Sequence, residues 1–167
     1  MAHIFTTEEI NTILNRFKKN HCIYYAFLTA YCTGLRIAEV FALTWDDIDF
    51  KNKTISVNKN ILKKNQAGGT KGRHLSGNST TVWYIGTTKT KSGERQIHIS
   101  PTLMKALVNF KNRQMELRLL YGKDYKYYHF EEIKNQYGKV LEYQIIENQS
   151  NILSMKLANM IFTRDNG

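Results

Sequence analysis

The sequence predicts an α+β fold: a mainly helical domain carrying a small three-stranded antiparallel sheet. Three observations predict it. Residues 10–43 place apolar side chains at helical spacing, residues 47–57 and 81–99 switch to strand-like alternation, and Ser100-Pro101 opens a further long helical stretch. At 167 residues, with 42% hydrophobic and 23% charged side chains, the chain suits one domain whose core needs no covalent staple. Twenty aromatic residues and a single proline argue against a disordered chain.

Each element has a local cause. Thr6 followed by Glu9 reads as a capping box, with Phe5 and Ile10 at the positions of a hydrophobic staple. Ile10, Ile13, Leu14 and Phe17 give the first helix one apolar face, and it should stop near Asn20. Residues 21–32 are apolar on nearly every side, which suggests a helix at the centre of a core. Gly34 suits a left-handed cap after it, and a short helix follows over 36–43 with Ile37, Val40 and Phe41 as its apolar face. Residues 47–50 and 54–57 alternate as strands about a turn at 51–53.

Residues 65–79 contain four glycines and no apolar cluster, so they read as a loop. Strand character resumes over 81–85, and 91–93 reads as a hairpin turn before a returning strand at 95–99. Ser100 is a cap and Pro101 the first helical residue of a helix running to 120 or 121, ended by Gly122. Residues 123–150 are polar and aromatic with weak periodicity; helices over 131–135 or 152–159 are options there, and 160–163 reads as a last short strand.

The formal charge of +10 is unevenly placed. Residues 1–50 carry a net −2, residues 101–167 a net +3, and residues 51–100 a net +9 with Glu94 as their only acid. A basic stripe of that density points to a polyanion, most often nucleic acid. Cys22 and Cys32 are too few for a disulfide scaffold or a cysteine-based metal cluster, and read as buried thiols of a reducing compartment. No apolar run approaches the roughly 20 residues that span a bilayer. With no basic and apolar leader at the N-terminus, the expected location is cytoplasmic. The histidines lack ligand spacing, Gly68-Gly69-Thr70-Lys71 lacks the spacing of a phosphate-binding loop, and Ser92 and Ser100 lack a histidine–acid constellation. No metal or cofactor is expected.

One segment is far more specific. Gly34-Leu35-Arg36-Ile37-Ala38-Glu39, followed by Ala42-Leu43-Thr44-Trp45-Asp46-Asp47-Ile48-Asp49, resembles the first arginine box of the tyrosine recombinase, or phage integrase, family. By spacing alone, Arg36 and Glu39 are an ordinary i, i+3 ion pair. The resemblance continues through Thr88-Lys89-Thr90-Lys91-Ser92-Gly93-Glu94-Arg95-Gln96-Ile97-His98-Ile99, which is similar to the family's lysine-bearing β-hairpin. The Phe5-Thr6-Thr7-Glu8-Glu9-Ile10 start and the Ile161-Phe162-Thr163 close match in order as well, so the likeness covers essentially the whole chain. Its details suggest the integrases of Gram-positive phages and conjugative elements.

That resemblance implies a DNA breaking-rejoining catalytic fold and site-specific recombination through a 3′-phosphotyrosyl intermediate, with double-stranded DNA sites and other protomers, four on two sites, as partners. It implies that Arg36 is the first catalytic arginine, Glu39 its supporting carboxylate, and Lys89 the hairpin lysine that protonates the leaving 5′ oxygen, with Lys91 as the alternative. Lys59, Lys63, Lys64, Lys71, Arg73, Lys91 and Arg95 are the candidate DNA contacts of the basic stripe. The family also needs a His-x-x-Arg box and a tyrosine nucleophile. None of His3, His21, His74, His98 and His129 has Arg three residues on, and Tyr121, Tyr125, Tyr127 and Tyr128 read as packing residues. The expectation is therefore that residues 1–167 form a partial catalytic domain, without the second box, the nucleophile or the N-terminal DNA-binding domains, inactive alone. The alternatives are a non-enzymatic DNA-binding module and a type IB topoisomerase-like domain.

Overall fold

The computed structural model describes residues 5–65, 81–87, 94–148 and 157–167. Helix α1 (Thr7–Arg16) starts at Thr6, whose hydroxyl accepts the Glu9 N–H while the Glu9 carboxylate accepts the Thr6 N–H. Helix α2 (His21–Thr33) is capped by the Asn20 side chain, which accepts the Ile23 N–H. It ends at Gly34, whose φ of +67° is strained for any residue bearing a Cβ. Helix α3 (Ile37–Val40) is a single turn. Val40 is fully buried, but Ile37 is 63% exposed and does not join the expected apolar face. Ile37 stands beside Arg36 at the exposed start of the turn, and only Val40 and Phe41 pack on the core.

The first sheet contains β1 (Ile48–Asp49), β2 (Thr54–Val57) and, further along the chain, β5 (Arg95–His98), in the order β1-β2-β5. A second sheet takes β3 (Lys59–Asn65) and β4 (Thr81–Thr87). Helix α4 (Pro101–Tyr121) begins with Ser100 accepting the Leu103 N–H and ends at Gly122. After it, β6 (Tyr128–Lys134) and β7 (Val140–Glu147) complete a four-stranded antiparallel sheet ordered β3-β4-β7-β6.

The three-stranded antiparallel sheet is thus present, and the four-stranded one stands beside it. Three elements differ from what the sequence predicts. The 95–99 strand does not return onto 81–85: β5 pairs with β2, placing Ile97 opposite Ile55, while β4 pairs with β3 and β7. Ile55 and Val57 need an apolar strand beside them to finish the main core, whereas Ile85 belongs to a second cluster. Residues 131–135 are strand and turn, not helix. Tyr128 and Phe130 pack inward with Tyr143 and Ile145, and the adjacent Glu131 and Glu132 interrupt that period-two pattern in the sequence. The 160–163 segment makes a single bridge, Met160 to Thr44, and is otherwise irregular. The 91–93 turn, the 65–79 loop beyond Asn65 and most of the 152–159 option lie outside the described residues.

The main core joins Leu35, Val40 and Leu43 to Ile55, Leu103, Leu107, Phe110 and Phe162, with Tyr25 stacked on Phe110 at 4.4 Å. Burying each such side chain contributes about 1.5–3 kcal/mol. Gln114 of α4 is the polar pin of this core. Its carbonyl accepts the Trp45 indole N–H at 2.7 Å, and its amide donates to the carbonyls of Met160 and Ile161 and to the Thr163 hydroxyl. Cys22 is half-buried, and burial pushes its thiol up to about 11. Cys32 is exposed on α2, contrary to the expectation of two buried thiols. Tyr125 is buried as expected, whereas Tyr121 is exposed.

Candidate active site

Arg36 stands where the chain leaves Gly34 and enters α3. Leu35 is buried on one side of it and Val40 on the other, so the core fixes the backbone of this corner. The Arg36 side chain points away from that core and is 84% exposed. Its Nη1 lies 3.5 Å from Glu39 Oε1, at the outer limit of a hydrogen bond.

Glu39 is the opposite case: its carboxylate is 6% exposed. A buried carboxylate must be paired. Oε2 accepts the Arg36 N–H at 2.9 Å, tying the carboxylate to the start of α3. Arg95, the first residue of β5, then closes on both oxygens, Nη1 to Oε1 at 3.1 Å and Nη2 to Oε2 at 2.8 Å. This fork is the strong form of a carboxylate–guanidinium contact. The Arg95 hydrogen bonds are the main cause that holds the Glu39 carboxyl below the usual carboxylate range, and the same pairing raises Arg95. Because Arg95 stands opposite Val57 of β2, the bridge joins the first sheet to the arginine corner.

The other basic candidates divide. Lys59 is held inward: its Nζ donates to Asp47 at 2.7 Å and to the Thr44 hydroxyl at 3.3 Å. Asp47 in turn accepts the Thr44 N–H and hydroxyl at 2.7 and 2.8 Å. This cluster fastens the start of β3 to the turn after α3. Lys64 pairs with Glu142 of β7 and lies over the Tyr84 ring. Lys63 is exposed on β3. Lys71, Arg73, Lys89 and Lys91 lie outside the described residues. The structure therefore brings Arg36, Glu39 and Arg95 together and gives Lys59 a structural partner. The sequence carried no local sign of the Arg95–Glu39 contact, which joins residues 56 apart. The Asp47 partner of Lys59 was hidden for the same reason.

A family model described as the phage integrase family matches residues 3–126. The chain belongs to the phage integrase family. Among curated relatives, it is 35% identical over 121 residues to a "Tyrosine recombinase XerC-like" protein of Caldanaerobacter subterraneus subsp. tengcongensis, covering 72% of this chain and 29% of that protein. It is 35% identical over 91 residues to the transposase from transposon Tn916 of Enterococcus faecalis, covering 52% of this chain and 18% of the relative. It is 31% identical over 111 residues to the ICEBs1 integrase of Bacillus subtilis, covering 66% and 26% respectively. Among solved structures, the Tn1549 transposon integrase in complex with transposon right end DNA superimposes with a TM-score of 0.51 at 28% identity, covering 68% of this chain and 33% of that one. This integrase-family chain thus spans a third or less of the length of these relatives. The family match runs from α1 through α4, and the β6–β7 hairpin lies beyond it.

Within the described residues, no helix is long and apolar enough to cross a membrane.

Proposed function

We propose that this chain is the arginine-bearing part of a site-specific DNA recombinase, which cuts one strand by tyrosine attack on a phosphodiester and rejoins it through a 3′-phosphotyrosyl intermediate. The observation that carries the reading is Arg36, an exposed guanidinium on a corner whose neighbouring carboxylate is occupied by a second arginine. A guanidinium so placed offers a two-pronged donor to phosphate oxygens and offsets the charge of a pentacoordinate transition state. Family membership, the recombinase and integrase names of the relatives, and the DNA bound by the Tn1549 integrase all support it.

In this reading Lys89 protonates the departing 5′ oxygen, Lys91 being the alternative, and Glu39 supports Arg36. Lys63, Lys71 and Arg73 contact the backbone of double-stranded DNA, and protomers assemble as four on two sites. The phosphotyrosyl bond conserves the energy of the phosphodiester, so rejoining needs no nucleotide. The His-x-x-Arg box and the nucleophile are not within these 167 residues.

A nicked suicide duplex tests this. The 167-residue chain alone is expected to bind the duplex and form no protein–DNA adduct. Expressed together with a segment carrying the box and the tyrosine, it is expected to form an adduct that Arg36→Ala abolishes. An adduct from the chain alone, or one indifferent to Arg36→Ala, contradicts the assignment.

A further inference from the structure

The basic stripe treats Arg95 as one more phosphate contact, but its geometry gives it different work. Glu39 lies on the same turn as Arg36, in the i, i+3 relation that normally draws two opposite charges into a pair. Here the pair is barely made, at 3.5 Å, and the Arg36 side chain is 84% exposed. The reason is that both carboxylate oxygens already accept from Arg95, at 3.1 and 2.8 Å, and one of them also accepts the Arg36 backbone N–H at 2.9 Å. Those three bonds fill three of the carboxylate's roughly four acceptor sites and leave the Arg36 guanidinium one site on Oε1, which Arg95 already shares.

We propose that Arg95 is a positioning residue: by occupying Glu39, it keeps the Arg36 guanidinium out of its own i, i+3 ion pair and available to a DNA phosphate. This rests on the recombinase reading above and assigns Arg95 a part in it. Arg95 acts through Glu39 rather than by touching the DNA. Remove Arg95 and the buried carboxylate, left with one donor, pulls Arg36 inward. Remove the charge of Glu39 as well, and nothing holds Arg36 back. Gln at 39 still offers an oxygen to the Arg36 N–H, so the corner keeps its cap.

The two roles make opposite predictions for a double variant. Binding of the 167-residue chain to a short duplex DNA is measured against potassium chloride, with far-UV circular dichroism to verify folding. A lost phosphate contact lowers the magnitude of the log–log salt slope by about 0.9. Arg95→Gln is expected to lower it by that amount, as Arg36→Gln does, and Glu39→Gln/Arg95→Gln is expected to restore it. Should Arg95→Gln unfold the chain, Arg95→Lys replaces it, since lysine keeps the charge but cannot span both oxygens. The side-chain nitrogen resonances of Arg36 supply a readout without DNA: slowed guanidinium rotation in the single Arg95 variant, fast rotation in wild type and the double variant. A loss that Glu39→Gln does not restore, or unchanged Arg36 mobility, overturns the proposal. Wild-type binding that is indifferent to Arg36→Gln is a separate result, and it overturns the recombinase reading itself.

Discussion

The Arg95 guanidinium closes on both oxygens of the Glu39 carboxylate, with Nη1–Oε1 at 3.1 Å and Nη2–Oε2 at 2.8 Å. Through this contact the first strand residue after the 88–93 segment is fastened to the corner that presents Arg36. Helix α3 is only one turn long and has little stability of its own, so its placement depends on such cross-links.

The bridge makes stability acid-sensitive. Glu39 titrates below its unfolded value, about 4.3. Its contribution is therefore complete above that value and is lost as pH falls through the lower folded pKa. Urea midpoints of the wild type should fall more steeply below pH 4 than those of Glu39→Gln, which has no charge to lose at that position. Glu39→Ala, which also removes the cap on the Arg36 N–H, should cost about 2 kcal/mol at neutral pH. Parallel acid profiles for wild type and Glu39→Gln would show that the bridge adds nothing to folding.

Lys59 and Lys63 lie on one strand with opposite surroundings, Lys59 held by Asp47 and Thr44 and Lys63 exposed, so the first is an anchor and the proposed function makes the second a DNA contact. Lys59→Met leaves the buried Asp47 without its cation and should destabilise the chain by about 2 kcal/mol, with the salt slope of DNA binding unchanged. Lys63→Ala should leave the unfolding free energy within about 0.5 kcal/mol of wild type and lower the slope by about 0.9. The reverse pattern in the two variants would refute this division.

Gln114 satisfies the Trp45 indole and donates to two carbonyls of the 160–163 segment. Gln114→Leu fills similar volume but orphans the Trp45 indole N–H and the Met160 carbonyl, while the Ile161 carbonyl keeps the Thr163 N–H; the expected cost is about 1–3 kcal/mol for the group most costly to leave unpaired. Thermal unfolding followed by tryptophan fluorescence should show the loss. An unchanged midpoint would mean that water replaces the amide without penalty.

Much of this fold was legible because it is encoded locally. The Thr6–Glu9 box, the Gly34 stop and the Ser100-Pro101 start each need only neighbouring residues, and each is found where the sequence placed it. Strand partnership was not legible, since whether Arg95–His98 joins Thr54–Val57 or Thr81–Thr87 depends on which core lacks an apolar strand. The β6–β7 hairpin was hidden because Glu131 and Glu132 are adjacent charges, so that Ile133 falls out of step with Tyr128 and Phe130. At the site, Arg36 and Glu39 were readable as a motif, whereas charge alone could not show that Arg95 turns inward to Glu39 and Lys59 to Asp47.

The central claim is that Arg36 is an available phosphate ligand rather than a part of the fold. The direct measurement is the salt dependence of duplex DNA binding by the wild-type chain and Arg36→Ala, with urea unfolding of both. The account predicts weak wild-type binding that falls as salt rises, a slope smaller by about 0.9 in Arg36→Ala, and matching urea midpoints. Binding that does not respond to salt, or an Arg36→Ala chain that no longer folds, would contradict it.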